Sequence, residues 1–153
     1  MESYEIKTVV HKMRTEELTD EAQRWMALAT AAATKAYAPY SHFHVGAVAA
    51  LSDGTVVTGN NQENAACPSG LCAERVALFS AGAAYPDTAV KALTLVAVKD
   101  GVVQDTISPC GACRQVLLET ERRQRRPIMI MLCGKSEVRT IDSAEQLLPE
   151  PFY

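Results

Sequence analysis

Leu18, Ala22, Trp25, Ala29, Ala32 and Ala36 recur at spacings of three and four, the period that gathers apolar side chains on one face of an α-helix. Thr15-Glu16-Glu17 stands before them as a helix start, with acidic residues where the helix dipole favours them, and Pro39 stops the helix. Short apolar segments at 45–51 and 56–58 flank Ser52-Asp53-Gly54-Thr55, and Asp-Gly between apolar runs predicts a hairpin of two antiparallel strands. Residues 72–84 hold few helix breakers and read as a helix, 93–98 as a buried strand, and 110–122 as a helix entered through Pro109. Strands at 128–132 and 138–141 and a helical turn at 144–148 complete the order α, β, β, α, β, α, β, β, α. That order predicts an α/β protein with three α/β/α layers and a mixed five-stranded sheet, in which strands separated by helices are parallel neighbours.

Size and charge narrow this picture. With 153 residues the chain divides into a short N-terminal arm, 1–14, carrying no recognisable site, and one domain, 15–153. A formal net charge of −3 speaks against nucleic acid or an anionic membrane as partner, because phosphate binding wants a basic face, and leaves a small or neutral ligand. Met1-Glu2-Ser3-Tyr4-Glu5 lacks the basic and apolar regions of a signal peptide, so a cytoplasmic protein is expected. There are five cysteines, an odd number, and in a reducing compartment metal ligation explains them better than disulfides.

Cys72-Ala73-Glu74 and Pro109-Cys110-Gly111-Ala112-Cys113 carry the chemistry. Cys110 and Cys113 are three apart in one helical turn, so their sulfurs share a side, and with Cys72 they offer three thiolates to one zinc ion. Three protein ligands leave the fourth tetrahedral position open, and an open zinc site can activate water. Glu74 is then free to move protons. Helical spacing of two would point Cys72 and Glu74 apart, so Cys72 must sit at the helix cap. Arg75 can offset the negative charge of three thiolates by donating to a ligand sulfur. A Cys-x-x-Cys redox pair or a closed structural zinc is the alternative, and neither explains the nearby glutamate and the third cysteine. Cys67 raises a four-thiolate variant, in which closure would abolish the water position.

Zinc deaminases pair His-x-Glu, or its three-cysteine variant, with Pro-Cys-x-x-Cys. Adding Ala38-Pro39-Tyr40-Ser41-His42-Phe43-His44-Val45-Gly46-Ala47, Gly59-Asn60-Asn61-Gln62-Glu63-Asn64-Ala65, Arg75, and the ending Leu147-Leu148-Pro149-Glu150-Pro151-Phe152, the chain resembles the small homotetrameric cytidine deaminases over nearly its whole length. The resemblance implies a cytidine deaminase-like fold, a single catalytic domain, one Zn²⁺ per chain, and hydrolysis of cytidine and deoxycytidine to uridine and deoxyuridine in pyrimidine salvage. It implies that Phe43 packs on the pyrimidine, that Asn61 and Glu63 hydrogen-bond the ribose 3′-hydroxyl, and that backbone near Ala65 and Ala73 reads the base edge. Phe152 would reach a neighbouring subunit's pocket. Cys67 stands where the family more often has a tyrosine.

Other features are ordinary. His42 and His44 alternate as strand neighbours do, with no third ligand evident, and Arg122-Arg123-Gln124-Arg125-Arg126 closes a helix where cations suit the dipole. Cys133 and Trp25 read as core. A nucleic-acid-editing deaminase would need a basic groove, a blasticidin-type deaminase would lack the Asn-x-Glu-Asn stretch, and a non-enzymatic zinc module would need four ligands.

Overall fold

A computed structural model describes residues 1–152; Tyr153 lies outside the described residues. Its strands are β1 (His11–Arg14), β2 (His44–Leu51), β3 (Val56–Asn60), β4 (Val90–Lys99), β5 (Val102–Val103), β6 (Met129–Cys133) and β7 (Glu137–Ile141). The α-helices are α1 (Asp20–Ala33), α2 (Ala73–Ala84) and α3 (Gly111–Gln124). The α/β/α layering holds: α1 packs Trp25, Ala29 and Ala33 on one face of the sheet, and α2 and α3 pack Ala77, Leu78 and Leu117 on the other. β2 and β4 lie between both layers, so their runs are buried on both sides instead of alternating.

The five-stranded expectation is corrected to seven strands among the described residues, in the order β1-β7-β6-β4-β2-β3, with β5 on β4. β1 is an edge strand paired antiparallel with β7, and only Met13 of its four residues packs on the core, so it leaves no apolar signature. β5 is a two-residue return after Asp100 and Gly101, both at positive φ (52° and 75°), which is the backbone of a tight hairpin turn. Strand neighbours also need a correction. β4 and β6, joined through α3, are parallel neighbours, but β3 and β4 run the same way with β2 between them.

The first helix starts later than expected. Thr19 is its cap, accepting from Ala22 N at 3.3 Å, while Thr15–Glu17 forms a separate 3₁₀ turn and the helix ends at Ala33, well short of Pro39.

Two glycines set the spacing of the layers. A Cβ on Gly46 would lie 1.8 Å from the Ala29 carbonyl oxygen, so β2 touches the α1 backbone directly. A Cβ on Gly59 would lie 2.5 Å from both the Ala73 oxygen and the Ala77 nitrogen, so β3 seats against the first turns of α2.

The C-terminal segment is pinned by a buried carboxylate. Glu121 of α3 accepts from Ile128 N (2.6 Å), Ser143 Oγ (2.6 Å), Ala144 N (2.8 Å) and Glu145 N (3.2 Å), fixing the 3₁₀ turn Ala144–Leu147. Hydrogen bonds from so many donors are what a buried carboxylate requires.

Candidate active site

The site forms where β3 ends, β2 begins and α2 and α3 start. Cys72 is the N-cap of α2 and Cys110 the N-cap of α3, both with extended backbone, and Cys113 lies in the first turn of α3. Cys72 Sγ is 3.7 Å from Cys110 Sγ, Cys110 Sγ is 3.4 Å from Cys113 Sγ, and all three lie within 4.8 Å of one another. A tetrahedral zinc with bonds of about 2.3 Å holds its sulfurs roughly 3.8 Å apart, so the three thiols fit the ion. Cys67, His42 and His44 do not join the group, which among the described residues leaves three ligands and no fourth.

Arg75, one turn along α2 from Cys72, points Nη2 at Cys72 Sγ (3.9 Å), and its buried Nε has no hydrogen-bond partner among the described residues. That guanidinium is placed to meet the charge of a thiolate cluster, and the Cys72 sulfur in turn raises the guanidinium's own pKa. Hydrogen bonding from the Cys113 thiol, opposed by burial and helped by Arg75 and Cys110, lowers the Cys72 thiol to about 5. Cys113 moves upward as the donor of that bond and through its burial.

Glu74 is only 5% exposed. Burial pushes its carboxyl above the ordinary 4.5, and the neighbouring Cys72 thiolate adds to the rise. Glu74 lines a cavity of about 180 Å³ with Cys72, Cys110, Ala73, Asn61, Val45, Ile107 and Ser108. A carboxyl held protonatable by burial beside an open metal position can take and return a proton.

The other anticipated residues fall in two further places. Asn61 lines the thiol cavity, and its amide is held like a strand peptide: Nδ2 donates to Phe43 O (2.9 Å) and Oδ1 accepts from Val45 N (2.7 Å). Glu63 and Ala65 line a second cavity, about 350 Å³, with Tyr40, Asn64, Cys67 and Gly70. Glu63 accepts from Tyr40 N, Ser41 N and Ser41 Oγ, and the Ser41 hydroxyl, then the Tyr40 amide, hold its carboxyl below the usual range. Phe43 is half-buried and Phe152 is 83% exposed; neither lines either cavity, and the Phe152 carbonyl accepts from Gln115 Nε2 of α3.

Sequence reasoning missed Ile107 and Ser108, although their place just before Pro109-Cys110 is a signal that they border the metal. It also missed Arg114, whose Nε donates to Pro109 O (2.8 Å) and whose Nη1 donates to Leu147 O (3.0 Å), tying the Cys110 loop to the C-terminal turn.

Comparison with known proteins agrees with this geometry. Residues 19–129 match the family model of the cytidine and deoxycytidylate deaminase zinc-binding region. A cytidine deaminase from Sporosarcina psychrophila is 39% identical over 132 residues, which is 86% of this chain and 91% of that protein. The crystal structure of a cytidine deaminase from Burkholderia pseudomallei superposes with a TM-score of 0.72 at 41% identity, covering 88% of this chain and 100% of that one. That of the Mycobacterium tuberculosis cytidine deaminase gives 0.65 at 37% identity, covering 88% of this chain and 98% of that one.

Proposed function

The chain belongs to the zinc-dependent cytidine and deoxycytidylate deaminase family, and on that footing we propose that it hydrolyses cytidine and deoxycytidine to uridine and deoxyuridine, releasing ammonia. The observation that carries the reading is the buried Glu74 carboxyl in one cavity with the Cys72 and Cys110 thiols, whose third partner is Cys113. Cys72, Cys110 and Cys113 would hold a zinc ion, and the chemistry it would supply is Lewis-acid activation of water near neutral pH.

The chain's own groups handle the protons. Water oxygen bonds to C4 and the C4–N bond breaks; Glu74 carries one water proton to ring N3 and the other to the departing amino group, and ends as it began. Arg75 donates to Cys72 and offsets the negative charge of the cluster. Backbone at Ala73 and Ala65 meets the base edge, Phe43 packs on the pyrimidine, and Asn61 and Glu63 take the 3′-hydroxyl. The lining of the two cavities by Asn61, Ala73, Glu63 and Ala65 supports the roles of those four residues, and the role of Phe43 rests on the family resemblance alone.

Phe152 is 83% exposed and lines neither of the two cavities described above, which supports a homotetramer in which it completes a neighbour's site. Free thiols as metal ligands suit a reducing, cytoplasmic location. Among the described residues no helix is long and apolar enough to cross a membrane.

Ultraviolet-monitored loss of cytidine with ammonia release by zinc-loaded protein tests the reading. Turnover of cytidine and deoxycytidine, reduced about 10²–10⁴-fold in a folded, zinc-loaded Glu74→Gln variant, is the expected result. No turnover of either nucleoside by the zinc-loaded parent would sink it.

A further inference from the structure

Glu63 can accept one new hydrogen bond and little more. An ionised carboxylate offers about four lone-pair positions and donates nothing. Oε2 already receives Tyr40 N (2.9 Å) and Ser41 N (3.3 Å), and Oε1 receives the Ser41 hydroxyl. The position left is on Oε1, beside Ser41 Oγ.

The Ser41 hydroxyl has a second partner. Its oxygen accepts from Phe43 N at 3.1 Å, and Phe43 in turn offers its carbonyl to Asn61 Nδ2. The turn between them is tight: His42 adopts a left-handed backbone (φ 54°), and its N–H donates to Ala38 O at 3.0 Å. One exposed serine therefore joins the carboxylate at 63, the aromatic residue at 43 and, through it, the amide at 61.

We infer that Ser41 is a positioning residue for sugar recognition, holding the Glu63 carboxylate in the one rotation that leaves Oε1 open to the nucleoside 3′-hydroxyl. The inference rests on the reading of Glu63 as the sugar acceptor. Without the hydroxyl the carboxylate keeps both backbone donors on Oε2 but loses the contact that fixes Oε1. Ser41 touches neither C4 nor the proton path, so its loss acts on binding and not on the chemical step. A site built to bind a hydroxyl discriminates against a substrate lacking it, and a loosened acceptor forfeits that discrimination.

The test is steady-state kinetics of the zinc-loaded parent, Ser41→Ala, Ser41→Thr and Glu63→Gln with cytidine and with 2′,3′-dideoxycytidine. Zinc content and thermal melting are checked for each variant. Ser41→Ala is expected to raise KM for cytidine about tenfold with kcat within a factor of about three, and to leave KM for the dideoxynucleoside unchanged. Ser41→Thr, which keeps the hydroxyl, is expected to restore most of the cytidine KM. Equal losses on both nucleosides, or no loss on either, would overturn the role of Ser41 while a discriminating Glu63→Gln left the sugar reading in place. A Glu63→Gln that fails to discriminate removes the sugar reading, and the inference falls with it.

Discussion

Among the described residues two side-chain carboxyl groups are buried, and they are buried in opposite ways. Glu121, 8% exposed, is met by three backbone N–H groups and a hydroxyl, so its charge is compensated in place. Glu74 faces thiols, and burial raises its pKa. The consequence for stability has a definite sign. A raised pKa means that the folded chain holds the Glu74 proton more tightly than the unfolded chain, so its contribution is whole below about 4.5 and is lost as pH rises through the folded value. In the metal-free protein, Glu74→Gln is therefore expected to raise the melting temperature at pH 7, with the gain vanishing on acidification below 4.5. Melting curves across that range decide it, and a gain independent of pH would rule out burial of the charge as its cause. Glu121→Gln should do the reverse: in one orientation its amide nitrogen would face the Ile128 and Ala144 N–H groups, in the other the Glu145 N–H. A cost of about 2–3 kcal/mol, read by denaturant unfolding, is expected, and an unchanged midpoint would contradict the anchoring role. In the sequence Glu121 sits inside Glu119-Thr120-Glu121-Arg122-Arg123, which reads as a solvated run, and only the return of the C-terminal turn buries it.

At the scale of elements, the position of Glu74 and Cys72 depends on a contact between bare backbones. Gly59→Ala would drive a methyl group into the Ala73 carbonyl and the Ala77 nitrogen, neither of which can rotate away, so β3 and the start of α2 must separate. A loss of about 1–3 kcal/mol in stability is expected, together with faster release of zinc to a chelator. Gly111→Ala is the matched control, because a Cβ there meets nothing within 4 Å at the first residue of α3. It is expected to be neutral or to stabilise by about 0.5 kcal/mol, and equal damage from both changes would refute the spacing role of Gly59. Elements defined by local chemistry were legible in the sequence: α2 from its lack of helix breakers, α3 from its entry through Pro109, Cys72 as a cap from its spacing to Glu74, the hairpin from Asp53-Gly54. The same dipeptide at Asp100-Gly101 marks β5, but the strand after it is only Val102–Val103, too short to carry a strand pattern of its own. β1 offered no such mark, since His-Lys-Met-Arg becomes a strand only by pairing with a partner more than a hundred residues away. The order β6-β4-β2-β3 is likewise a property of long-range packing, invisible to periodicity.

For the whole molecule, truncation before Phe152 tests whether sites are shared between chains. If Phe152 reaches a neighbour, the shortened protein should keep its zinc while KM for cytidine rises several-fold or sedimentation shows smaller assemblies; unaltered kinetics and mass would place each site within one chain. The two cap cysteines carry a different consequence. Neither Cys72 nor Cys110 makes a side-chain hydrogen bond to the N–H groups at the start of its helix, so α2 and α3 begin without the support that serine or aspartate would give. The metal that draws the three sulfurs together also ties down both helix starts, and its binding free energy adds to folding. Stripped of zinc, the segments before Cys72 and Cys110 should become the first places a protease cuts, with cleavage slowing as zinc is returned at constant temperature. Metal supply would then set how long each copy of the chain survives as well as how fast it works, and a cell starved of zinc would be expected to degrade this protein instead of storing it idle.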